Sequence, residues 1–233
     1  MSGWAGRSPR EPLPSQALRL FADRHDAGRR LAALLEPLRG EHPLILAIPR
    51  GGVPVAAEVA RALRAPLDVV VVRKLGAPEN PEYALGALAE GGVHVLSERA
   101  VAALGISALA VAHLLSRGEA ELEDRVRRYR GGREPLALTG RTAIVVDDGL
   151  ATGRSALAAT RSLRVRGAAH VILAVPVGAP RSLEAMRTEV DEVASVYMPE
   201  EMTAVGHWYQ DFSPPCDAEL ASLLAHSAIP PAP

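Results

Sequence analysis

Short apolar runs that alternate with helical stretches constrain the fold of this chain more than any other feature. Val, Ile and Leu dominate these runs, which is typical of strands buried on both faces. Strands that alternate with helices predict an α/β fold, in which a parallel sheet is covered by helices on both faces. The five predicted strands lie at 44–48, 67–72, 142–146, 171–175 and 190–196.

Predicted helices and one hairpin occupy the segments between these strands. A helix over 23–39 begins at an aspartate that can cap it and ends at Gly40. The glycine pair at 91–92 separates two short segments, 83–89 and 93–96, and therefore predicts a β-hairpin. Further helices are predicted at 53–63, at 98–130, at 154–166, between the last two strands, and near the C-terminus.

The composition is typical of a globular protein with one main core. Of the 233 residues, 48% are hydrophobic and 23% are charged, which is too apolar for a disordered chain. Residues 1–16 are rich in Pro, Ser, Gly and Arg and predict a loose tail. The following segment, 17–226, predicts a single domain in which the two chain ends, at about 17–42 and 197–226, form a small hood.

Charge and cysteine content limit the partners and the compartment. The net charge of −1 argues against a general affinity for nucleic acid. A lone cysteine, Cys216, cannot form an internal disulfide and indicates a reducing compartment. No run approaches the ~18 apolar residues of a membrane helix. These features predict a cytoplasmic protein without a membrane partner.

The segment after the strand at 142–146 carries the chemistry. The strand ends in Asp147 and Asp148, and a loop with Thr152 and Gly153 leads into a helix. Ligands of open α/β sheets lie beyond the carboxyl ends of strands, and a helix N-terminus attracts phosphate. Because adjacent carboxylates can accept hydrogen bonds from a vicinal diol, the segment predicts a ligand shaped like ribose 5-phosphate. In the alternative interpretation, the two aspartates only cap a strand–helix turn.

This segment resembles the phosphoribosyl pyrophosphate signature of type I phosphoribosyltransferases, in which two acids precede a loop ending in Thr-Gly-x-Ser/Thr. The resemblance implies a type I phosphoribosyltransferase-like parallel sheet flanked by helices. It implies that Asp147 and Asp148 hold the ribose 3′- and 2′-hydroxyls, directly or through water bound to Mg²⁺. It also implies that the 5′-phosphate lies in a cradle formed by Leu150, Ala151, Thr152, Gly153, Arg154 and Ser155.

Two other predicted strand ends supply residues for the same ligand. Arg50, Gly51 and Gly52 follow the first strand, where the family places a loop that binds pyrophosphate. Arg73 and Lys74 follow the second strand, where the family commonly has a basic residue that contacts pyrophosphate. We therefore expect Arg73 to act in catalysis and the other four to bind substrate. The alternatives are a plain tight turn and a solvated strand end.

An arginine cluster at 125–133 has two interpretations. Type I enzymes close a flexible loop over the active site, and Arg128, Arg130 and Arg133 stand at the corresponding place, before the signature strand. They could then approach the departing pyrophosphate. In the other interpretation these arginines form the end of a charged helix and face glutamates at helical spacing.

The aromatic segment at 205–212 also has two interpretations. In the family, a hood over the sheet edge recognises the acceptor base. Trp208 or Tyr209 could stack on such a ring, and Asp211 could accept a hydrogen bond from a ring N–H. In the second interpretation, which we favour, these side chains form a small satellite core that packs the C-terminal segment down.

The resemblance implies a reaction of phosphoribosyl pyrophosphate with Mg²⁺ as cofactor. The phosphoribosyl group passes to a nitrogenous, nucleobase-like acceptor, and pyrophosphate is released. Ala151 stands where 6-oxopurine enzymes place an aspartate, which argues against hypoxanthine or guanine as the acceptor. Two alternatives stay open: a regulatory protein that senses phosphoribosyl pyrophosphate and binds nucleic acid, and a phosphoribosyl hydrolase. Homodimers are common in the family, so a homodimer is expected.

Overall fold

The computed structural model describes residues 20–78, 80 and 83–226, and the tail expected at 1–16 lies outside these ranges. Strands and helices alternate through most of the described chain. In chain order they are α1 (Arg24–Leu35), β1 (Leu44–Ala47), α2 (Gly52–Leu63), β2 (Leu67–Val69), β3 (Val72–Gly76), β4 (Ala84–Ala89), β5 (Val93–Leu96), α3 (Glu98–Ala103), α4 (Ala108–Arg130), β6 (Thr142–Val146), α5 (Arg154–Val165), β7 (His170–Val177), α6 (Pro180–Met186), β8 (Glu192–Tyr197) and α7 (Asp217–His226).

Five of the strands form a parallel sheet in the order β2-β1-β6-β7-β8. β1 lies between β2 and β6, so that Ile45 is opposite both Leu67 and Ile144. Each of the five predicted strands contributes to this sheet. The parallel pairing and the helices between the strands confirm the predicted α/β fold.

The two faces of this sheet carry separate apolar cores. Ile45 and Ala47 of β1 belong to a core that contains side chains of α1, α2 and α7. Leu44 and Leu46 point to the opposite face and belong to a core with side chains of α5 and α6. Because side chains alternate along a strand, a strand that is apolar at every position can be buried on both faces.

A second, antiparallel sheet of three strands has the order β3-β4-β5. The predicted hairpin is confirmed, since β4 and β5 pair across a turn in which Gly91 and Gly92 have positive φ angles. The prediction of a single strand over 67–72 was wrong, because the chain leaves the parallel sheet after Val70. Val72 then pairs with Ala89 of β4, so two strands of different sheets follow one another without a polar break.

Helix ends follow local capping chemistry. The helix predicted over 98–130 is interrupted at Gly105, which has a φ of +61°, and restarts where Ser107 caps α4 by accepting a hydrogen bond from the amide of Ala110. α4 continues to Arg130 and ends at Gly131 in the left-handed conformation. A left-handed residue after the last turn is a common helix terminator.

The two ends of the described chain meet above the parallel sheet. Phe21 forms an isolated parallel bridge with Tyr209, and a small apolar core surrounds this contact. Its members come from residues 20–27 and from 177–212. We use the term hood for the chain segments 20–26 and 202–213. Within the described residues, every helix is too short or too polar to span a lipid bilayer.

Candidate functional site

A cavity of about 330 Å³ opens where β1 and β6 end. These strands are neighbours, and the amide of Ile48 donates to the carbonyl of Val146 at 2.9 Å. Because parallel strands end at the same edge, their loops surround one space. The cavity is lined by Ile48, Pro49, Lys74, Asp147, Asp148, Gly149, Leu150, Ala151, Thr152, Gly153, Arg154, Ser155, Ala156, Val205 and Phe212.

Asp147 and Asp148 form one wall of this cavity. The amide of Asp148 donates to Oδ1 of Asp147 at 2.9 Å, and Nε of Arg24 donates to Oδ2 of Asp148 at 2.9 Å. Burial and the charge of Asp148 raise the pKa of Asp147 well above its usual range. Burial also raises the pKa of Asp148, although Arg24 opposes this shift. The site therefore disfavours the charged form of both carboxylates, because water solvates them poorly there.

The glycine loop after β1 packs directly against these carboxylates. A Cβ atom added at Gly51 would lie 1.9 Å from Oδ2 of Asp148, and one added at Gly52 would lie 2.6 Å from the carbonyl oxygen of Val146. The peptide bond between Pro49 and Arg50 is cis. The backbone at Gly51 and Gly52 lies so close to the end of β6 and to Asp148 that a side chain would not fit. Glycine is therefore required at both predicted positions.

The loop from Leu150 to Ser155 lies between β6 and α5. The amide of Leu150 donates to Val177 at 2.8 Å, and the hydroxyl of Ser182 donates to the carbonyl of Ala151 at 2.5 Å. Gly153 has a φ of +74°, a conformation that favours glycine, and begins α5. Hydrogen bonds to Val177 and Ser182 therefore hold the loop in place. The N-terminus of α5 lies at the cavity, and such a helix end attracts an anion.

The structure places Arg73 and Lys74, predicted at the end of the second strand, within β3 and separates their side chains. Lys74 lines the cavity, and its charge opposes the rise in the pKa of Asp147. Arg73 is not part of the cavity lining and pairs instead with Glu121 of α4. Its Nε is buried without a hydrogen-bond partner among the described residues. Adjacent residues of a strand face opposite sides, so only one of the two can face the aspartates.

Arg50 lies next to the cavity but is held by the C-terminal segment. Its Nη2 donates to the carbonyl of Pro215 at 2.8 Å and forms an ion pair with Asp217 at 2.7 Å. The side chain is 44% exposed. A ligand that recruits this guanidinium would have to compete with both contacts.

The interpretation of the arginine cluster as a closing loop was wrong for Arg130. Arg130 is the last residue of α4 and is 6% exposed. Its guanidinium donates to Asp68, to Glu90 and to the carbonyl of Val69. This network attaches α4 to β2 and to the hairpin, and burial of three charges requires such pairing.

Arg128 and Arg133, the other two arginines named for the closing loop, lie in α4 and just after its end. Arg128 lies within α4 and is exposed. Arg133 donates to the carbonyls of Arg130 and Leu224. The cluster therefore belongs to the end of a charged helix, as in the second interpretation, and Arg133 attaches it to α7. The ion pairs described for the cluster run to Asp124, Asp68 and Glu90, however, and not to the expected glutamates of the same helix.

The hood segment contributes to the site through residues that the sequence did not indicate. Trp208 packs against Tyr197 with the rings tilted and their centroids 5.1 Å apart, and Asp211 accepts a hydrogen bond from the amide of Ser213. Tyr209 is buried, and its hydroxyl donates to the carbonyl of Asp148 at 2.5 Å. Neither Trp208, Tyr209 nor Asp211 lines the cavity, whereas Val205 and Phe212 do.

The aromatic segment is therefore a satellite core, as in the interpretation that we favour. Burial raises the pKa of Tyr209, so its hydroxyl keeps the proton that it donates to Asp148. Phe212 and Val205 were not predicted as cavity residues. No local sequence pattern distinguishes an apolar side chain that lines a cavity from one that packs into a core.

The donor set of the cavity fits a magnesium ion that binds with its substrate. In the ranges that the structure describes, no three His, Cys, Asp or Glu residues form a cage for a metal. Mg²⁺ commonly binds through one or two carboxylates together with substrate oxygens and water. Asp147 and Asp148 supply carboxylates of this kind at the cavity wall.

Comparison with known proteins identifies the family to which this fold belongs. Residues 22–209 match the family model described as phosphoribosyl transferase domain. A relative from Mycobacterium tuberculosis H37Rv, named provisionally as phosphoribosyl transferase Rv0571c, is 45% identical over 207 residues, or 89% of this chain and 47% of its own length. The chain thus spans about half the length of the curated relatives that it matches.

A solved structure shows the same fold at similar identity. The crystal structure of TT1426 from Thermus thermophilus superposes with a TM-score of 0.76 and 42% identity, over 89% of this chain and 99% of that one. The parallel sheet and its flanking helices agree with the matched family. This chain belongs to the phosphoribosyl transferase domain family.

Proposed function

We propose that the cavity binds 5-phosphoribosyl 1-pyrophosphate together with Mg²⁺ and transfers the phosphoribosyl group to a nitrogenous acceptor. One observation carries this proposal: the aspartate pair and the N-terminus of α5 line one cavity, and the glycine loop packs against the aspartates with Pro49 at the cavity wall. A carboxylate pair recognises a diol, and a helix N-terminus recognises a phosphate. Ribose 5-phosphate presents both groups at opposite sides of one small ring.

Each wall of the cavity then has a separate role. Asp147 and Asp148 accept hydrogen bonds from the ribose 3′- and 2′-hydroxyls, directly or through metal-bound water. The loop at 150–155 surrounds the 5′-phosphate, and its Gly153 allows a close backbone approach. Lys74 and the loop at 49–52 lie on the side of the pyrophosphate. The family match to a transferase supports these assignments.

Catalysis in this arrangement depends on position and charge. Mg²⁺, when bound, would offset the charge of the leaving pyrophosphate. Lys74 adds a positive charge at the same side of the cavity, and electrostatic stabilisation of this kind is commonly the largest catalytic contribution. Asp147 and Asp148 hold the ribose so that C1 faces the acceptor, which reduces the entropy lost in reaching the transition state.

The acceptor would bind between the ribose and the hood. Val205 and Phe212 are apolar and line the cavity. Ala151 cannot accept a hydrogen bond through its side chain. A flat ring with a nucleophilic nitrogen fits this wall better than an acceptor that requires a carboxylate partner.

Calorimetric titration of phosphoribosyl pyrophosphate, with and without Mg²⁺, tests the proposal. We expect Mg²⁺-dependent binding by the unaltered chain and no measurable binding by the double variant Asp147→Asn/Asp148→Asn. The exposed pair partner Asp124 on α4 offers a matched control, since Asp124→Asn removes a carboxylate far from the cavity. Absence of binding by the folded, unaltered chain would overturn the proposal.

Release of pyrophosphate separates transfer from the two alternatives. Release that requires an added base or amine supports a transferase, while equal release in water alone indicates a hydrolase. Tight binding without release under either condition indicates a sensor. A screen of nucleobases and small amines therefore follows directly on the calorimetry.

A further inference from the structure

Arg24 is a buried cation that the proposed chemistry has not yet used. It is the first residue of α1 and is 8% exposed. Its Nε donates to Oδ2 of Asp148 at 2.9 Å, and its Nη1 donates to the carbonyl of Ser213 at 2.8 Å. Its guanidinium carbon lies 3.9 Å from the ring centroid of Phe212. One side chain thus touches the aspartate pair and two residues of the hood.

The start of α1 fixes the position of this arginine. Asp23 caps the helix by accepting a hydrogen bond from the amide of Asp26 at 2.7 Å. Just before this cap, the amide of Phe21 donates to the carbonyl of Trp208 at 2.9 Å, which holds the preceding segment in place. Arg24 therefore extends from a backbone that is bonded on both sides, and its guanidinium fork is pre-organised.

Asp148 is surrounded by charged or polar groups from several elements. Arg24 approaches from α1, Lys74 lies on β3, Asp147 precedes it, and the Tyr209 hydroxyl donates to its carbonyl. A Cβ at Gly51 would lie 1.9 Å from its Oδ2 and 3.2 Å from Nε of Arg24. Oδ2 thus accepts the Arg24 hydrogen bond in space that is available because Gly51 has no side chain.

We infer that Arg24 is a positioning residue for ribose recognition, which holds Oδ2 of Asp148 so that Oδ1 faces the ribose 2′-hydroxyl. This inference rests on the proposed function, because it assigns the 2′-hydroxyl to Asp148. Arg24 does not line the cavity and therefore acts through Asp148. Its contacts with Ser213 and Phe212 make the orientation of Asp148 depend on the hood being in place.

A pair of sugar phosphates isolates this role. Ribose 5-phosphate and 2-deoxyribose 5-phosphate differ only in the 2-hydroxyl, and both are titrated calorimetrically in the presence of Mg²⁺. We expect the unaltered chain to prefer the ribose compound by roughly tenfold or more, the worth of a hydrogen bond to a charged group. In Arg24→Gln this preference should fall to about one, while the affinity for the deoxy compound stays unchanged.

Two further variants make the result specific. Arg29→Gln removes an exposed arginine of the same helix and should keep the full preference. Arg24→Lys keeps the charge but lacks the planar fork that reaches both Asp148 and Ser213, so it should recover part of the preference. If Arg24→Gln is unfolded at the assay temperature, Arg24→Lys provides the test instead. Its preference for ribose 5-phosphate should lie between about one and that of the unaltered chain.

Several outcomes overturn the inference. A preference that is unchanged in Arg24→Gln and in Arg24→Lys contradicts it, and so does an equal loss of affinity for both sugar phosphates, which indicates a merely structural role. In the Asp148→Asn background, a further loss of preference on Arg24→Gln also contradicts it. By contrast, failure of the unaltered chain to bind phosphoribosyl pyrophosphate overturns the proposed function itself.

Discussion

Gly51 shows how a single residue type can be required by space alone. Its backbone lies in the ordinary helical region, with φ −62° and ψ −34°, so any residue could adopt it. A Cβ at this position would nevertheless overlap Oδ2 of Asp148. The glycine is needed because the loop and the carboxylate must approach closely, and a larger residue would have to displace one of them.

Gly51→Ala therefore separates ligand binding from folding. We expect phosphoribosyl pyrophosphate to bind about tenfold or more weakly, since the displaced Asp148 loses roughly one charge-assisted hydrogen bond to the ribose. Calorimetry measures the affinity, and a thermal melt checks the fold. Gly40→Ala is the matched control, because a Cβ at Gly40 meets nothing within 4 Å. Unchanged binding by Gly51→Ala would contradict the close approach described for this loop.

The network around Arg130 connects three elements. Arg130 closes α4, Asp68 lies in β2, and Glu90 follows β4 in the hairpin turn. Burial lowers the pKa of Arg130, but the hydrogen bonds and charges of Glu90 and Asp68 outweigh this effect, so the pKa is raised overall. Removal of one member leaves the other charges buried without a partner, which is far more costly than loss of an exposed pair.

Arg130→Ala should lower the free energy of unfolding by about 3–5 kcal/mol, the usual cost of breaking a buried ion pair. Arg128→Ala, two residues earlier on an exposed face, should change it by less than about 0.5 kcal/mol. Urea denaturation measures both. If instead the two variants were equally stable and Arg130→Ala lost pyrophosphate affinity, the closing-loop interpretation would return.

Local elements of the fold were predictable because their signals lie within a few residues. The strand over 142–146, the aspartate pair and the helix that follows form one continuous pattern of apolar, acidic and small residues. The hairpin is marked by two adjacent glycines. The exit of the chain from the parallel sheet near Val70 was not predictable, since residues 69–72 are all valine and no turn residue separates β2 from β3.

Long-range contacts at the site could not be predicted for a different physical reason. Arg24 and Asp148 are 124 positions apart, and Arg24 and Ser213 are 189 apart. No local spacing encodes such pairs, so the sequence identified the carboxylates without their buried partner. Likewise, Arg73 and Lys74 are adjacent and chemically similar, and only the sheet geometry decides which of them lines the cavity.

At the scale of the molecule, carboxylates have opposite effects at the two ends of the parallel sheet. At the carboxyl ends of the strands, burial and a like charge raise the pKa of Asp147. At the other end, although burial opposes it, the bond from the Val171 amide and the pair with Arg164 lower the pKa of Asp191. The first carboxylate reduces stability at neutral pH, and the second adds to it.

Two aspartate-to-asparagine variants should therefore shift the thermal midpoint in opposite directions. At neutral pH in metal-free buffer, Asp147→Asn should raise it, because a poorly solvated charge is removed. Asp191→Asn should lower it by about 2–4 °C, the shift that ~1 kcal/mol produces in a chain of this size, and solvent screening of this partly exposed pair keeps the effect small. Shifts of the same sign in calorimetric melts would contradict this division.

The contribution of Asp191 should also depend on pH with a definite sign. A carboxylate whose pKa is lowered on folding stabilises the folded state above its ordinary value of 3.8, and this contribution is lost as the pH falls through the lower, folded value. The difference in stability between the unaltered chain and Asp191→Asn should therefore be full at pH 6 and above, and should shrink progressively in acid. Urea unfolding at several pH values measures it, and a constant difference would contradict the assignment.

The bond between Arg24 and the carbonyl of Ser213 has a consequence for synthesis on the ribosome. All eight strands lie before residue 198, so they are translated before the C-terminal hood segment at 202–213 and before α7, which packs on one face of the parallel sheet. Until Ser213 and Phe212 emerge, Arg24 lacks two of its contacts, and the cavity lacks one wall. On the proposed function, the ligand site is therefore completed only after the strands have been made, and a chain that terminates between these points should fail to bind phosphoribosyl pyrophosphate.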